Sequence, residues 1–152
     1  MVKKMERTRV AGIIFIDGKI ALMHRKDVLK RPEMPEYYTI PGGGLEEGET
    51  EEEGTKREIK EEFGIEVRIV KKLYEMKSTK FNQKELYYLC EYVSGKFGTG
   101  QGPEFSNDPK YKDSGKYIPE LVEKENIKNI NLLPPEIKEK IITDIENGNI
   151  KM

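Results

Sequence analysis

The sequence predicts an α/β protein in which helices cover both faces of a β-sheet. Residues 10–16 are apolar at almost every position, as expected for a strand that is covered on both sides. Asp17-Gly18 suits a type I′ turn, so residues 19–24 should form the second strand of a hairpin. A glutamate-rich helix is predicted between this hairpin and later strands. This succession of elements is typical of a layered architecture.

The remaining elements follow from composition and turn signals. Runs rich in β-branched and aromatic residues predict further strands, the last of them an edge strand that contains a proline. These strands are residues 37–40, 66–74, 84–93 and 117–122. Pro41-Gly42-Gly43-Gly44 predicts a sharp turn, because glycine adopts backbone conformations closed to other residues. Pro134-Pro135 opens a last helix that ends near Glu146.

Length and charge limit the classes of function open to the chain. We expect residues 1–152 to form a single domain with one core of ordinary size. Charged residues make up 36% of the chain but sum to a net charge of −1, so no overall field favours nucleic acid or an anionic membrane. No apolar run approaches the roughly 20 residues that span a bilayer. The single Cys90 cannot form an internal disulfide, which fits a cytoplasmic location.

The glutamate-rich helix has clear start and stop signals. Thr50 and Glu53 have the spacing of a capping box, and Gly64 is a typical residue just past the last turn. Helical periodicity places three carboxylates on one face, separate from an apolar stripe formed by Ile59 and Phe63. The three carboxylates belong to Glu58, Glu61 and Glu62.

These like charges repel one another by a few tenths of a kcal/mol per pair, and the helix dipole disfavours anions near a C-terminus. A hard divalent cation would offset that cost, since Mg²⁺ takes carboxylate and carbonyl oxygens together with water and substrate phosphates. The alternative is an ordinary solvated acidic face, because glutamate-rich exposed helices are common. Spacing alone leaves both interpretations open.

The whole stretch resembles the signature of the Nudix hydrolase family, G-x(5)-E-x(7)-R-E-U-x-E-E-x-G-U, where U is a bulky aliphatic residue. Every spacing of that signature is kept. The matching residues are Gly43, Glu49, Arg57, Glu58, Ile59, Glu61, Glu62, Gly64 and Ile65. We refer to these nine positions as the Nudix motif.

The resemblance implies a Nudix fold, with a mixed β-sheet in an α/β/α sandwich, and hydrolysis of a pyrophosphate bond with Mg²⁺ or Mn²⁺. It makes Glu58, Glu61 and Glu62 metal ligands, with Glu58 or Glu61 also the general base. It also implies that Glu49 orients the base and completes the metal shell. Arg57 would hold the carboxylates by charge-assisted bonds, and the carbonyl of Gly42 resembles a further ligand position.

Signals outside the motif are weaker. Arg25 is a candidate for a phosphate contact, against the alternative of a solvated cation at a strand end, and His24 is expected to be a polar surface or edge residue. We interpret Cys90 as a small buried hydrophobe. The glycine-rich segment 95–116 is expected to select the substrate through Glu104, with Glu120 as a rival, because binding groups concentrate in loops on rigid scaffolds.

Substrate identity stays open at this stage, since fold does not determine function. Nucleoside triphosphates, nucleotide sugars and dinucleotides all contain the required bond in a small nucleotide. A non-catalytic nucleotide sensor is an alternative of a different class, although a complete motif argues against it. An isopentenyl diphosphate isomerase-like enzyme is disfavoured, because the only cysteine lies in no suitable context. The chain is expected to be a monomer or a homodimer.

Overall fold

The computed structural model describes residues 7–78, 82–102 and 115–150. Within these residues there are eight strands, two α-helices and a 3-10 helix at Lys124–Asn129. The strands are β1 (Arg7–Ile16), β2 (Lys19–Lys26), β3 (Tyr37–Thr39), β4 (Gly42–Gly44), β5 (Glu66–Ser78), β6 (Gln83–Ser94), β7 (Lys116–Glu123) and β8 (Leu132–Leu133). The helices are α1 (Glu51–Phe63) and α2 (Pro135–Glu146).

The strands form a mixed sheet in the order β5-β6-β1-β2-β3-β8. β1 runs parallel to β6, whereas β1 and β2 form the predicted antiparallel hairpin around Asp17 and Gly18. β7 pairs with β2 along its whole length and β4 pairs with β1, both outside the main path. The mixed sheet of an α/β fold is therefore confirmed.

The two helices cover opposite faces of this sheet. On β1, Val10 and Ile14 are buried in the cluster that contains Ile59 and Phe63 of α1. The alternate β1 residues Ala11 and Ile13 are buried in the other cluster, with Ile137 and Ile141 of α2. A strand with both faces covered reads as a continuous apolar run, which is why residues 10–16 carry no alternation. The predicted α/β/α sandwich is confirmed.

The predicted ends of α1 are also confirmed. The side-chain oxygen of Thr50 accepts a hydrogen bond from the Glu53 N–H at 3.1 Å. Gly64 adopts the left-handed conformation, with φ 77°, and its N–H donates to the carbonyl of Lys60. Glycine meets this conformation without the steric cost that a Cβ atom imposes.

The prediction of a simple turn at Gly42–Gly44 is wrong, because these residues form strand β4. Gly42 and Gly44 pair with Ala11 and Arg9 across an antiparallel ladder. A Cβ atom on Gly42 would lie 2.2 Å from the carbonyl oxygen of Val10, so the close approach of the two backbones requires glycine. Glycine has low strand propensity, and tertiary contacts override it here.

Cys90 is confirmed as a buried residue, with 4% of its surface exposed. Burial raises the pKa of its thiol to about 12, so the thiol stays protonated and unreactive near neutral pH. Neither helix in the described part of the chain is long and apolar enough to cross a membrane.

Candidate active site on helix α1

Arg57 lies at the centre of a cluster of three glutamates. Its Nε and Nη2 atoms donate to the two carboxylate oxygens of Glu49 at 2.7 and 3.0 Å. Its Nη1 atom donates to Glu58 Oε1 at 2.8 Å and to Glu61 Oε2 at 3.4 Å. A further bond runs from Nη2 to the carbonyl oxygen of Gly44 at 3.2 Å. One planar guanidinium therefore fixes three carboxylates of the Nudix motif relative to one another.

The loop before α1 presents Glu49 to Arg57. Gly48 adopts a left-handed φ of 80°, and the Glu49 N–H donates to the carbonyl of Glu46, which closes a tight turn. Glu49 Oε1 also accepts the N–H of Glu46 at 3.1 Å. The bond from Arg57 holds the pKa of the Glu49 carboxyl below its usual range. The same bond raises the pKa of the Arg57 guanidinium further, so both groups stay charged in their fixed geometry.

Glu62 faces strand β4, and only 9% of its surface is exposed. Its Oε2 accepts the N–H of Gly42 at 2.7 Å. A Cβ atom on Gly43 would lie only 2.5 Å from Glu58 Oε1. The backbone of β4 is therefore packed directly against the carboxylates of α1, which is possible because β4 has no side chains there.

The oxygen-rich donor set suits a hard divalent cation, and the Glu61 side chain, 37% exposed, is accessible from solvent. In the arrangement that the structure describes for residues 7–78, 82–102 and 115–150, no three acidic, histidine or cysteine side chains form a group arranged to hold a metal ion. Glu58 and Glu61 are bonded to Arg57, and Glu62 is bonded to Gly42. Cation binding would therefore require the carboxylates to rotate from these positions.

A cavity of about 500 Å³ lies on the α2 side of the sheet, the face opposite to α1. Arg9 lines the cavity and pairs with Gly44 across the β1–β4 ladder, and the carbonyl of Gly44 is the one that Arg57 binds. The backbone of a single residue thus links the carboxylate cluster to the cavity wall. The residues that line the cavity also include Tyr37, Gln83, Glu85, Tyr87, Pro135 and Glu136.

Glu85 is a buried polar residue of this cavity, with 7% of its surface exposed. Its two carboxyl oxygens accept hydrogen bonds from Gln83 Nε2 at 2.6 Å and from the Tyr87 hydroxyl at 2.7 Å. Burial raises the pKa of the Tyr87 hydroxyl, which therefore remains a donor. The sequence interpretation missed Glu85. The sequence does contain a pattern that indicates it. Gln83, Glu85 and Tyr87 lie at every second position and so place polar groups on one face of an otherwise apolar strand.

The two residues predicted at the end of β2 have different outcomes. The Arg25 guanidinium lies 3.7 Å from the centroid of the Tyr117 ring, in a cation–π contact, and its contact with a phosphate stays a prediction. The prediction of a surface position for His24 is wrong, because only 6% of the residue is exposed. Its ring stacks on Tyr38 with centroids 4.1 Å apart, and Nε2 lies 2.7 Å from Glu36 Oε1. β3 and β7 both pair with β2 at this point and cover the histidine.

The two glutamates considered for the substrate-selecting loop are not brought to the α1 carboxylates by any described contact. Glu104 lies outside the described residues. Glu120 lies in β7, where its Oε1 is 3.6 Å from Nδ1 of His24. The role of either residue in substrate selection therefore stays a prediction.

Residues 6–108 match the family model of the NUDIX domain. This range covers more than half of the chain, so the protein belongs to the Nudix family of pyrophosphohydrolases, as the motif and the fold indicate.

Individual relatives agree with this assignment. The chain is 32% identical over 114 residues to an 8-oxo-dGTP diphosphatase of Haemophilus influenzae, covering 72% of this chain and 81% of the relative. It is 41% identical over 68 residues to the nucleoside triphosphatase NudI of an Enterobacter species, covering 43% of this chain and 47% of the relative. A crystal structure of a Nudix hydrolase from Nitrosomonas europaea is similar in fold, with a TM-score of 0.71, 17% identity, and coverage of 95% of this chain and 73% of that one.

Proposed function

We propose that this protein hydrolyses a pyrophosphate bond of a nucleoside triphosphate in a reaction that depends on Mg²⁺ or Mn²⁺. The observation that carries the proposal is the cluster in which Arg57 holds Glu49, Glu58 and Glu61 of the Nudix motif in fixed positions. Nudix enzymes generally use a divalent metal. Two relatives whose names state a triphosphate activity support this substrate class over nucleotide sugars and dinucleotides.

The residues proposed to hold the cation are Glu58, Glu61 and Glu62, with the carbonyl of Gly42. When bound, such a cation neutralises charge on phosphate oxygens and lowers the pKa of a bound water. Glu49 and Arg57 serve this set indirectly. Their bidentate pair fixes the guanidinium, and the guanidinium fixes the starting positions of Glu58 and Glu61.

Glu61 is the better candidate for the general base. Its contact with Arg57 Nη1 is 3.4 Å, longer than the 2.8 Å contact of Glu58, and its side chain is 37% exposed against 14% for Glu58. A weaker hydrogen bond to the Arg57 guanidinium and greater access to water leave the Glu61 carboxylate freer to accept a proton. Glu58 is correspondingly better placed to act only as a ligand.

A nucleotide panel tests the proposed reaction. We expect nucleoside triphosphates, incubated with Mg²⁺, to yield a nucleoside monophosphate and pyrophosphate, and chelation of the metal to stop the reaction. Faster cleavage of nucleotide sugars to a monophosphate and a sugar phosphate would contradict the substrate class. Tight nucleotide binding without any product would instead favour the sensor alternative.

The residues that line the cavity lead to a prediction about the nucleobase of the substrate. Gln83 and Tyr87 fix the orientation of the Glu85 carboxyl group, which retains lone pairs for a ligand. Its two oxygens complement two adjacent N–H donors, such as those of guanine. We expect Glu85→Gln to lower the ratio of kcat/KM for GTP over ATP by about 5- to 150-fold, equivalent to about 1–3 kcal/mol for a bidentate contact. ITP, which lacks the exocyclic amine, should be affected less than GTP.

Glu136→Gln is the matched control, since Glu136 lines the same cavity from the start of α2. If that variant changes the base preference and Glu85→Gln does not, the base is recognised from α2. If neither variant changes it, the cavity does not bind the base.

We further infer that the protein acts in the cytoplasm on small nucleotides, without a nucleic acid or membrane partner. A net charge of −1 and a buried thiol at Cys90 that forms no disulfide support this placement.

A further inference from the structure

The glycine-rich segment that follows β6 lies against the C-terminal end of α1. We call residues 95–102 the glycine segment. Its Gly98 and Thr99 N–H groups donate to the carbonyl oxygen of Phe63 at 2.9 and 3.2 Å. The Gly102 N–H donates to the carbonyl oxygen of Glu61 at 2.8 Å. The segment therefore satisfies backbone carbonyls of the helix turn that carries two motif carboxylates.

These contacts offset negative charge at the C-terminal turn of α1. The last carbonyls of a helix have no partner within it, and they create a partial negative charge at its C-terminus. Glu61 and Glu62 place two carboxylates at this same end. N–H groups of the glycine segment pair with the Glu61 and Phe63 carbonyls, and so reduce the local negative charge while holding the turn in place.

The approach is too close for any side chain at Gly100. A Cβ atom there would lie 2.4 Å from the carbonyl oxygens of both Glu61 and Glu62. Gly100 does not have a left-handed φ, so alanine is compatible with its backbone conformation and only the contact forbids it. Phe97 adds a packing contact, because its ring centroid lies 4.9 Å from that of Phe63.

We infer that the glycine segment is a clamp that positions Glu61 and Glu62 for the divalent cation, with Gly100 as the positioning residue. The inference rests on the proposed metal role of those two carboxylates. The composition of residues 95–116 predicts a role in substrate selection. The contacts of the glycine segment instead connect it to the last turn of α1, which carries two of the proposed metal ligands. Gly100 itself touches neither cation nor substrate in this scheme and acts through the backbone of α1.

Gly100→Ala tests the clamp by forcing the segment away from the helix end. We expect the Mn²⁺ dissociation constant, measured by direct titration without substrate, to rise by about 10- to 100-fold, the range found when the supports of metal ligands are removed. At saturating metal, kcat should fall while the KM of the nucleotide changes little. Gly148→Ala is the matched control, because Gly148 follows the end of α2, has a φ of 72° and has open space around it.

The control should lose some stability but keep the metal affinity of the unaltered protein. Unchanged Mn²⁺ affinity in Gly100→Ala, or an equal loss in Gly148→Ala, would overturn the clamp. So would the absence of Mn²⁺ binding by the unaltered chain. If Mn²⁺ affinity falls as expected but no nucleotide is hydrolysed by the unaltered chain, the clamp stands and the proposed function fails.

Discussion

Replacement of Glu61 by Gln should lower the hydrolysis rate by about 10²- to 10⁴-fold, the usual contribution of a positioned general base. Gln keeps the size of the side chain but removes the charge and the proton acceptor. The side chain is 37% exposed and its contact with Arg57 is long, at 3.4 Å, so folding depends little on it. Loss of like-charge repulsion should stabilise the metal-free variant by a few tenths of a kcal/mol.

Titration of Mg²⁺ or Mn²⁺ into both proteins, together with thermal unfolding, separates chemistry from folding. Metal affinity should fall far more than stability. Glu52→Gln is the control, because it removes one charge from an exposed position in the first turn of the same helix. Equal metal affinities in Glu61→Gln and the unaltered protein would remove this face from the site. A sharp fall in melting temperature without metal would favour a structural role for Glu61.

The parts of the fold that sequence predicts well are those encoded by local chemistry. Thr50 caps the start of α1 through its side-chain oxygen, and Gly64 ends the helix through its backbone N–H; each bond lies within one turn, and the structure contains both. Ile59 and Phe63 are fully buried, as helical periodicity requires. The motif spacing likewise places Arg57 beside Glu58 and Glu61 on one helix.

The missed features depend on contacts between distant segments. β4 exists because three glycines can approach β1, and no local propensity indicates a strand there. The glycine segment meets the end of α1 across more than thirty positions of sequence. Glu85 lines a cavity only because the fold brings β6 and the start of α2 together. The burial of His24, predicted as a surface or edge residue, depends on β3 and β7, which cover it and come from elsewhere in the chain.

Replacement of Arg57 by Lys should lower kcat by about 10- to 100-fold although the positive charge is kept. The guanidinium makes two bonds to Glu49, one bond each to Glu58 and Glu61, and one to the Gly44 carbonyl. An ammonium group is a point charge with no planar fork, so it cannot reproduce the bidentate pair with Glu49 while also reaching the helix carboxylates. We also expect a stability loss of about 1.5–3 kcal/mol, typical of a hydrogen bond to a charged group.

Lys60→Met provides the matched control, since it removes a positive charge one turn away, where Lys60 pairs with Glu66 at 2.8 Å on the surface. That variant should keep its rate within about twofold, because exposed ion pairs contribute little.

A double-mutant cycle then tests whether Arg57 and Glu49 act together. Arg57→Lys and Glu49→Gln should each cause most of the loss of rate, and the combined variant should lose little more. Additive losses would show that Arg57 and Glu49 act separately, and full activity in Arg57→Lys would show that charge alone, without the fork, holds the carboxylates in place.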